Sequence, residues 1–322
     1  MLTNFLIGAI ALGVVLLYGC LGETLMEKAG QLNLGIPGIM CMGTAGGCFG
    51  AAQYMNGLAA AEDAAWLPLI LISICFSILF SVLTGLIYAF LTVTLRCNQN
   101  ITGLAITTFG TGLSQFIMDP VYVPRDRFGA ASALFAKGFV NDPDANGVLR
   151  IFFSHGVFVY LAIALAVLFA YVLKRTRLGL HLSAVGESPA VADAVGINVT
   201  AYKYGAILIG SAVAGFGGLF YTMDYLKGSW ENASTIEAFG WLAIALVIFT
   251  LWRPNLSIFG SILFGALLIA AFVLGGSSSQ KELLKLLPYV ITVLVLVFTS
   301  IRNKKENQPP AHLGLNYFRE ER

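Results

Sequence analysis

Two sets of residues in this sequence combine side-chain types and spacing that can do chemistry. The first lies in 174–203, KRTRLGLHLSAVGESPAVADAVGINVTAYK, a polar basic stretch between two apolar runs. Within it Ser188 is placed to cap a helix, and Pro189 fits the first helical position with its fixed φ and missing donor. Gly196 suits the left-handed residue that closes a helix. Glu187 and Asp193 put negative charge near the helix start and on its outer face, with Ala194 on the last turn. A helix of about two turns is marginal alone, so contact with another protein is expected to supply the remaining stability. The chemistry implied is force transmission by docking.

The second set is made of amides and hydroxyls beside apolar runs. Asn33 sits among Gly30, Gly35, Pro37 and Gly38, a composition that predicts an irregular, re-entrant stretch. Asn98 and Asn100 stand at the junction of two apolar runs beside Arg96, and Thr107 follows on the second run. Such groups can hydrogen-bond a polar, uncharged solute, or they can simply finish a helix end at the lipid headgroups.

Other chemistries lack their residues. There is no GxxxxGK[ST] phosphate loop, no HExxH and no GxSxG, and no paired carboxylates are evident for acid–base work. The five cysteines form no CxxC pair and read as small buried hydrophobes; His155, His181 and His312 are scattered. Neither a metal nor any other cofactor is called for. Few ionisable groups fall within apolar runs, which argues against a proton-driven pump, and Asp224 and Glu237 read as hydrated charges at a loop edge.

The elements that must position these residues are membrane helices. Of 322 residues 57% are hydrophobic and only 11% charged, against about 25% in a soluble domain. Apolar runs at 2–20, 37–54, 66–95, 101–118, 151–173, 204–225, 238–251, 257–274 and 283–301 predict an all-α, polytopic helical bundle of about nine spans, within eight to ten. Residues 1–301 form the transmembrane domain and 302–322 a loosely ordered cytoplasmic tail. Small residues at Gly43, Gly46, Gly47, Gly50, Ala214 and Gly218 have the spacing that lets membrane helices pack closely.

Basic residues set the orientation. Placing 174–203 in the cytoplasm puts twelve of the nineteen there: Lys28, Arg96, Lys174, Arg175, Arg177, Lys203, Arg253, Arg302, Lys304, Lys305, Arg319 and Arg322. The loop 119–150 then faces outward, its charges mixed. Net charge is +2 and no basic stripe with interleaved aromatics points to nucleic acid.

The stretch GESPAVADAVGINV, with Lys203 after it, resembles the cytoplasmic coupling loop of ATP-binding-cassette (ABC) importer permeases of the ribose, branched-chain amino acid and nucleoside branch. ETLMEKAGQLNLGIPGIMCMG, LRCNQNITGLAITTFGTGL and GWLAIALVIFTLWRP are most similar to the bacterial nucleoside and simple-sugar permeases of that branch. The resemblance covers most of the chain. It implies a multi-pass protein of the bacterial cytoplasmic membrane with the type II importer fold, moving a nucleoside or related simple sugar by alternating access. The implied partners are a second homologous permease, a cytoplasmic ATPase and an extracytoplasmic solute-binding lipoprotein. It assigns Glu187, Ser188, Pro189, Asp193, Ala194 and Gly196 to ATPase coupling. Asn33, Asn98, Asn100 and Thr107 are the candidate solute path. A branched-chain amino acid permease, or a transporter or channel that uses no ATP, remains as an alternative.

Overall fold

The computed structural model describes residues 2–124, 127–139, 146–273, 278–302 and 308–318. Arg125, Asp126, Asp142 and Asp144 of the 119–150 loop, Leu274, and the tail residues Lys304, Lys305, Arg319 and Arg322 lie outside them. The described residues form helices and turns without a strand. In chain order these are α1 (Leu2–Lys28), α2 (Ile36–Asn56), α3 (Trp66–Ala89), α4 (Gln99–Ile117), α5 (Phe128–Phe135), α6 (Gly147–Phe153) and α7 (Val157–Arg175). There follow α8 (Arg177–Glu187), α9 (Pro189–Ala194), α10 (Val199–Phe220), α11 (Ser234–Phe249), α12 (Pro254–Val273), α13 (Ser278–Lys285) and α14 (Leu287–Arg302). Single π turns, Phe90–Thr94 and Tyr221–Tyr225, extend α3 and α10.

Among the described residues four helical stretches are long and apolar enough to cross a membrane by themselves: Leu2–Lys28, Trp66–Thr94, Val157–Arg175 and Val199–Tyr225. Ser234–Phe249, Pro254–Ala270 and Leu283–Val297 are shorter apolar helices. The first apolar run extends beyond Cys20 to Lys28, so Glu23 and Glu27 ride inside a continuous helix. The fifth run divides at Ser154–Gly156 into α6 and α7, because Gly156 is extended rather than helical. The stretch around Asn33 is a turn: Gly30 takes φ +79° after α1, and α2 begins at Ile36 with Pro37 in its first turn.

Central in the bundle is α1, buried continuously from Leu12 to Glu27 and packed against α10, α11 and α12. A helix apolar all round belongs in such a core. In lipid, close packing replaces the hydrophobic effect as the force between helices, and small residues permit it. A Cβ on Gly22 would lie 2.4 Å from the Gly210 carbonyl oxygen, and one on Gly43 2.3 Å from Gly215 Cα, so α10 meets α1 and α2 backbone to backbone. Larger side chains fill the rest, with Tyr18 donating to the Phe158 carbonyl at 2.6 Å inside a cluster with Phe216.

The helix ends sort into two faces. One gathers α5, α6, the start of α1 and the end of α2, tied by Arg127 Nη1 donating to the Met55 and Leu58 carbonyls at 3.0 and 2.6 Å. Asp224 lies at the end of α10 and is only 8% exposed, held 3.6 Å from Lys227. It is thus a buried, paired group instead of the hydrated edge charge expected from sequence. The opposite face carries α8, α9, the α1–α2 turn and residues 308–318. Those tail residues are docked, correcting the expectation of a loose end.

Candidate coupling surface and solute path

The polar stretch 174–203 folds into three capped starts. Thr176 accepts the Gly179 N–H at 3.3 Å and opens α8; Ser188 ends α8 and accepts the Val191 N–H at 3.5 Å to open α9. Asn198 accepts the Ala201 N–H at 3.0 Å and opens α10. Between them Gly196 takes φ +86°. Its N–H donates to the Asp193 carbonyl at 3.0 Å, and the Ile197 N–H reaches the Ala192 carbonyl at 3.0 Å. This bond pair is the Schellman closure, which a left-handed residue makes possible.

One face of α9 is fixed and the other is free. Pro189 and Ala192 are buried, Ala192 in a small cluster with Val185 and Val199. Val191 and Val195 are 63% and 71% exposed, beside exposed Ala194 and Gly196. An apolar pair held outward on a polar segment is suited to fill a groove on another protein.

The acids of this segment face the chain's own C-terminus. Glu187 Oε2 accepts the Ala311 N–H at 3.3 Å, and Tyr317 OH donates to Asp193 Oδ2 at 2.9 Å. Further bonds turn 308–318 into a strap. The His312 N–H donates to Gly186 O at 3.0 Å and the Gly314 N–H to Gly30 O at 3.3 Å. Gln99 Nε2 donates to Leu315 O at 3.2 Å, and Asn316 Nδ2 to Arg96 O at 2.6 Å. Arg96 itself lies over the Phe318 ring at 4.8 Å. One segment therefore joins α8, α9, the α1–α2 turn and the α3–α4 turn. His312 is held below its ordinary value of 6.5, first by burial and then by the charge of Lys203.

The four candidate path residues do not converge. Asn33 is fully buried: its Oδ1 accepts the Gly35 N–H at 2.9 Å and its Nδ2 donates to Met26 Sδ at 3.2 Å, so it closes the turn. Thr107 donates to the Leu34 carbonyl at 2.7 Å and fastens that turn to α4. Asn98 caps α4 through the Ile101 N–H at 3.0 Å, and Asn100 is exposed on its first turn. None of the four lines the cavities of about 410 and 450 Å³ described below. The exposed residues of α4 include Ala105, Thr108, Gly112 and Gln115 alongside Leu104 and Phe109, a polar and small-residue composition unlike a purely lipid-facing surface.

A pair of carboxylates escaped the sequence reading. Glu23 and Glu27, one turn apart on α1, are 0% and 2% exposed. Glu23 Oε1 accepts the Asn33 N–H at 2.9 Å, and Glu27 Oε2 accepts the indole N–H of Trp252. Leu251 and Trp252 both have φ +54°, sparsely populated for such residues. The pair thus pins two turns, α1–α2 and α11–α12, to the central helix. Among the described residues no group of His, Cys, Asp and Glu could hold a metal. Cys20, Cys41 and Cys48 are buried as expected, whereas Cys75 and Cys97 are exposed because they fall on the outer surface of α3 and on the α3–α4 turn.

A cavity of about 450 Å³ opens between α1, α10, α11, α12 and α14. Tyr221, Tyr225, Phe239 and Tyr289 line it together with Ser234 and Thr235. Tyr221 and Tyr225 stack at 5.6 Å, and Phe239 meets Tyr221 edge-on at 4.9 Å. Aromatic walls with nearby hydroxyls can take a flat ring bearing polar groups.

The described residues thus form a membrane-helix bundle with a short capped helix on one face. The chain belongs to the family described as branched-chain amino acid transport system / permease component, which matches residues 5–296. It is similar to the nucleoside ABC transporter permease protein NupC of Lactococcus lactis, 31% identical with 87% of each chain covered. It is also similar to the putative glucose ABC transporter permease protein TsgC13 of Haloferax volcanii, 31% identical over 95% of this chain and 94% of that one. A further relative is the guanosine ABC transporter permease protein NupQ of Bacillus subtilis, 28% identical over 87% of each. The chain is a multi-pass cell-membrane permease subunit of an ABC importer.

Proposed function

We propose that this permease carries a nucleoside into the cell by alternating access, driven by a separate cytoplasmic ATPase that docks on α9. The observation that carries the reading is the geometry of α9: closed at both ends, seated through Ala192, and presenting Val191 and Val195 outward. Glu187, Ser188, Pro189, Asp193, Ala194 and Gly196 then divide the work. Ser188, Pro189 and Gly196 fix the helix, Ala194 belongs to the contact, and Glu187 and Asp193 hold the strap. A partner shifts a two-state equilibrium only through different contacts in the two states, and the exposed Val191–Val195 face of α9 is where such contacts would form. In this orientation 174–203 and the tail are cytoplasmic.

A second, homologous permease covers the open side of α4, and the solute path runs between the two along Asn100, Thr108 and Gly112. Asn98 starts that wall, while Asn33 and Thr107 shape it through the turn they hold. A nucleoside is favoured over a simple sugar by the names of NupC and NupQ. An extracytoplasmic binding lipoprotein delivers it. Deleting the gene should abolish uptake of labelled nucleoside. Intact nucleoside uptake with lost glucose or leucine uptake would reassign the solute, and transport by the chain alone without ATP would overturn the coupling.

A further inference from the structure

A cavity of about 410 Å³ lies on the α9 face, between the end of α3 and the start of α10. Thr92, Val93, Arg96, Asn198, Thr200 and Lys203 are among its walls, and Tyr317 of the strap flanks it. Lys203 is 3% exposed, yet among the described residues its amine has neither a hydrogen-bond acceptor nor an ion-pair partner. An ammonium on a largely buried side chain, facing a cavity with no counter-charge beside it, favours an anion there. Asp193, the acidic residue of the lining, is already engaged by Tyr317.

Two other features favour an anion here. Arg96 stands at the cavity with left-handed backbone, φ +56°, fixed there by Asn316 and Phe318 while its guanidinium keeps hydrogen-bond capacity. The N-terminus of the 22-residue α10 also opens into it. Asn198 satisfies the Ala201 N–H, leaving the Val199 and Thr200 N–H groups at the positive end of the helix dipole. Two cations and free N–H groups around a roomy cavity form a phosphate cradle.

We propose that this cavity binds a phosphate group, either the headgroup of an anionic phospholipid or a soluble phosphate. A lipid would reach it along the exposed side of α3, where Leu83, Leu86, Ile87 and Phe90 descend toward Arg96. Bound there, the phosphate neutralises Lys203 and braces the strap against α10, which gives the α9 face a dependence on anions that the transport reading does not require.

The test uses the full-length chain in detergent micelles and follows thermal unfolding. One arm titrates sodium phosphate at constant ionic strength, and the other replaces phosphatidylcholine with phosphatidylglycerol in the micelle. Wild type should gain stability in at least one arm, following the mass-action dependence of a single site. A gain with phosphatidylglycerol alone identifies the lipid source, and a gain with phosphate in uniformly neutral micelles the soluble one. Lys203→Met should weaken the apparent affinity at least about tenfold. It should also unfold no earlier than wild type without anion, since it removes an unpaired charge; a purely structural lysine would show the opposite. If Lys203→Met does not fold, Arg96→Gln at the cavity rim decides by the same loss of response. Wild-type protein indifferent to both probes, or variants that respond as wild type does, would overturn the assignment.

Discussion

Gly196 offers the cleanest perturbation of the coupling surface, because a Cβ added there meets nothing within 4 Å. Within this chain any effect of substitution comes from the backbone at φ +86°, not from collision. The left-handed conformation is unfavourable by about 1–2 kcal/mol for an ordinary L-residue, more for a β-branched one, and less for Asn. Setting 1–2 kcal/mol against the closure bonds from Gly196 and Ile197 reduces the population of the closed turn roughly 5–30-fold. Gly196→Asn should therefore stay close to wild type, Gly196→Ala fall below it, and Gly196→Val fall furthest. The assay is solute-stimulated ATP hydrolysis and uptake by the reconstituted complex, with basal hydrolysis and membrane insertion measured beside it. Stimulation should follow the order Gly, Asn, Ala, Val while insertion is constant. Equal stimulation in all four would remove α9 from the coupling path. An Asn variant as poor as Val would show that small size, not backbone conformation, is what the site needs.

Tyr317→Phe removes the bond to Asp193 Oδ2 and should loosen the strap by about 1 kcal/mol, the pair being partly solvated; faster modification of a reporter cysteine at the exposed position of Leu315 measures this, and an unchanged rate would refute it. His312 is held below 6.5 in the docked strap, so docking is strongest when the ring is neutral and is lost as pH falls from 6.5 through the lower docked value. The same reporter should show release on acidification in wild type and a flat profile in His312→Gln. Gly22→Ala places a methyl 2.4 Å from the Gly210 carbonyl, where backbone and not a pliable side chain must yield; destabilisation of about 1–3 kcal/mol is expected in thermal unfolding, and wild-type stability would show that α1 and α10 can separate freely.

The helical membrane class and the construction of α9 were legible because each rests on local signals. Apolar run length reports lipid directly, and Ser188, Pro189 and Gly196 encode a start and a stop within nine residues. What sequence could not convey was the partner of each polar group. Asn33 reads as a solute ligand until its Oδ1 is found on the Gly35 N–H, and Thr107 until its hydroxyl is found on Leu34. Asp193 reads as a docking charge until Tyr317, 124 residues away in the chain, is found to donate to it.

Glu23 and Glu27 mark the boundary between what sequence can and cannot yield. Their spacing of four places both on one side of a helix, and the apolar run before them predicts that helix, so the pair itself was available from the sequence. Their burial was not, because a charged residue after about twenty apolar ones reads equally well as the end of a span at the headgroups. The distinction lies in distant donors: the Asn33 N–H meets Glu23 Oε1 and the Trp252 indole meets Glu27 Oε2 where water otherwise would. Trp252 is brought there by a turn with two successive left-handed residues, Leu251 and Trp252, which no local propensity favours. Such strain persists only where surrounding contacts over-determine it, and here the Leu251 and Trp252 N–H bonds to the Ile248 and Val247 carbonyls, at 3.1 and 3.2 Å, act together with the carboxylate. The acid and the strained turn therefore support one another: Glu27 is tolerated in the core because Trp252 reaches it, and its acceptance of the indole N–H adds to the backbone bonds that hold the turn.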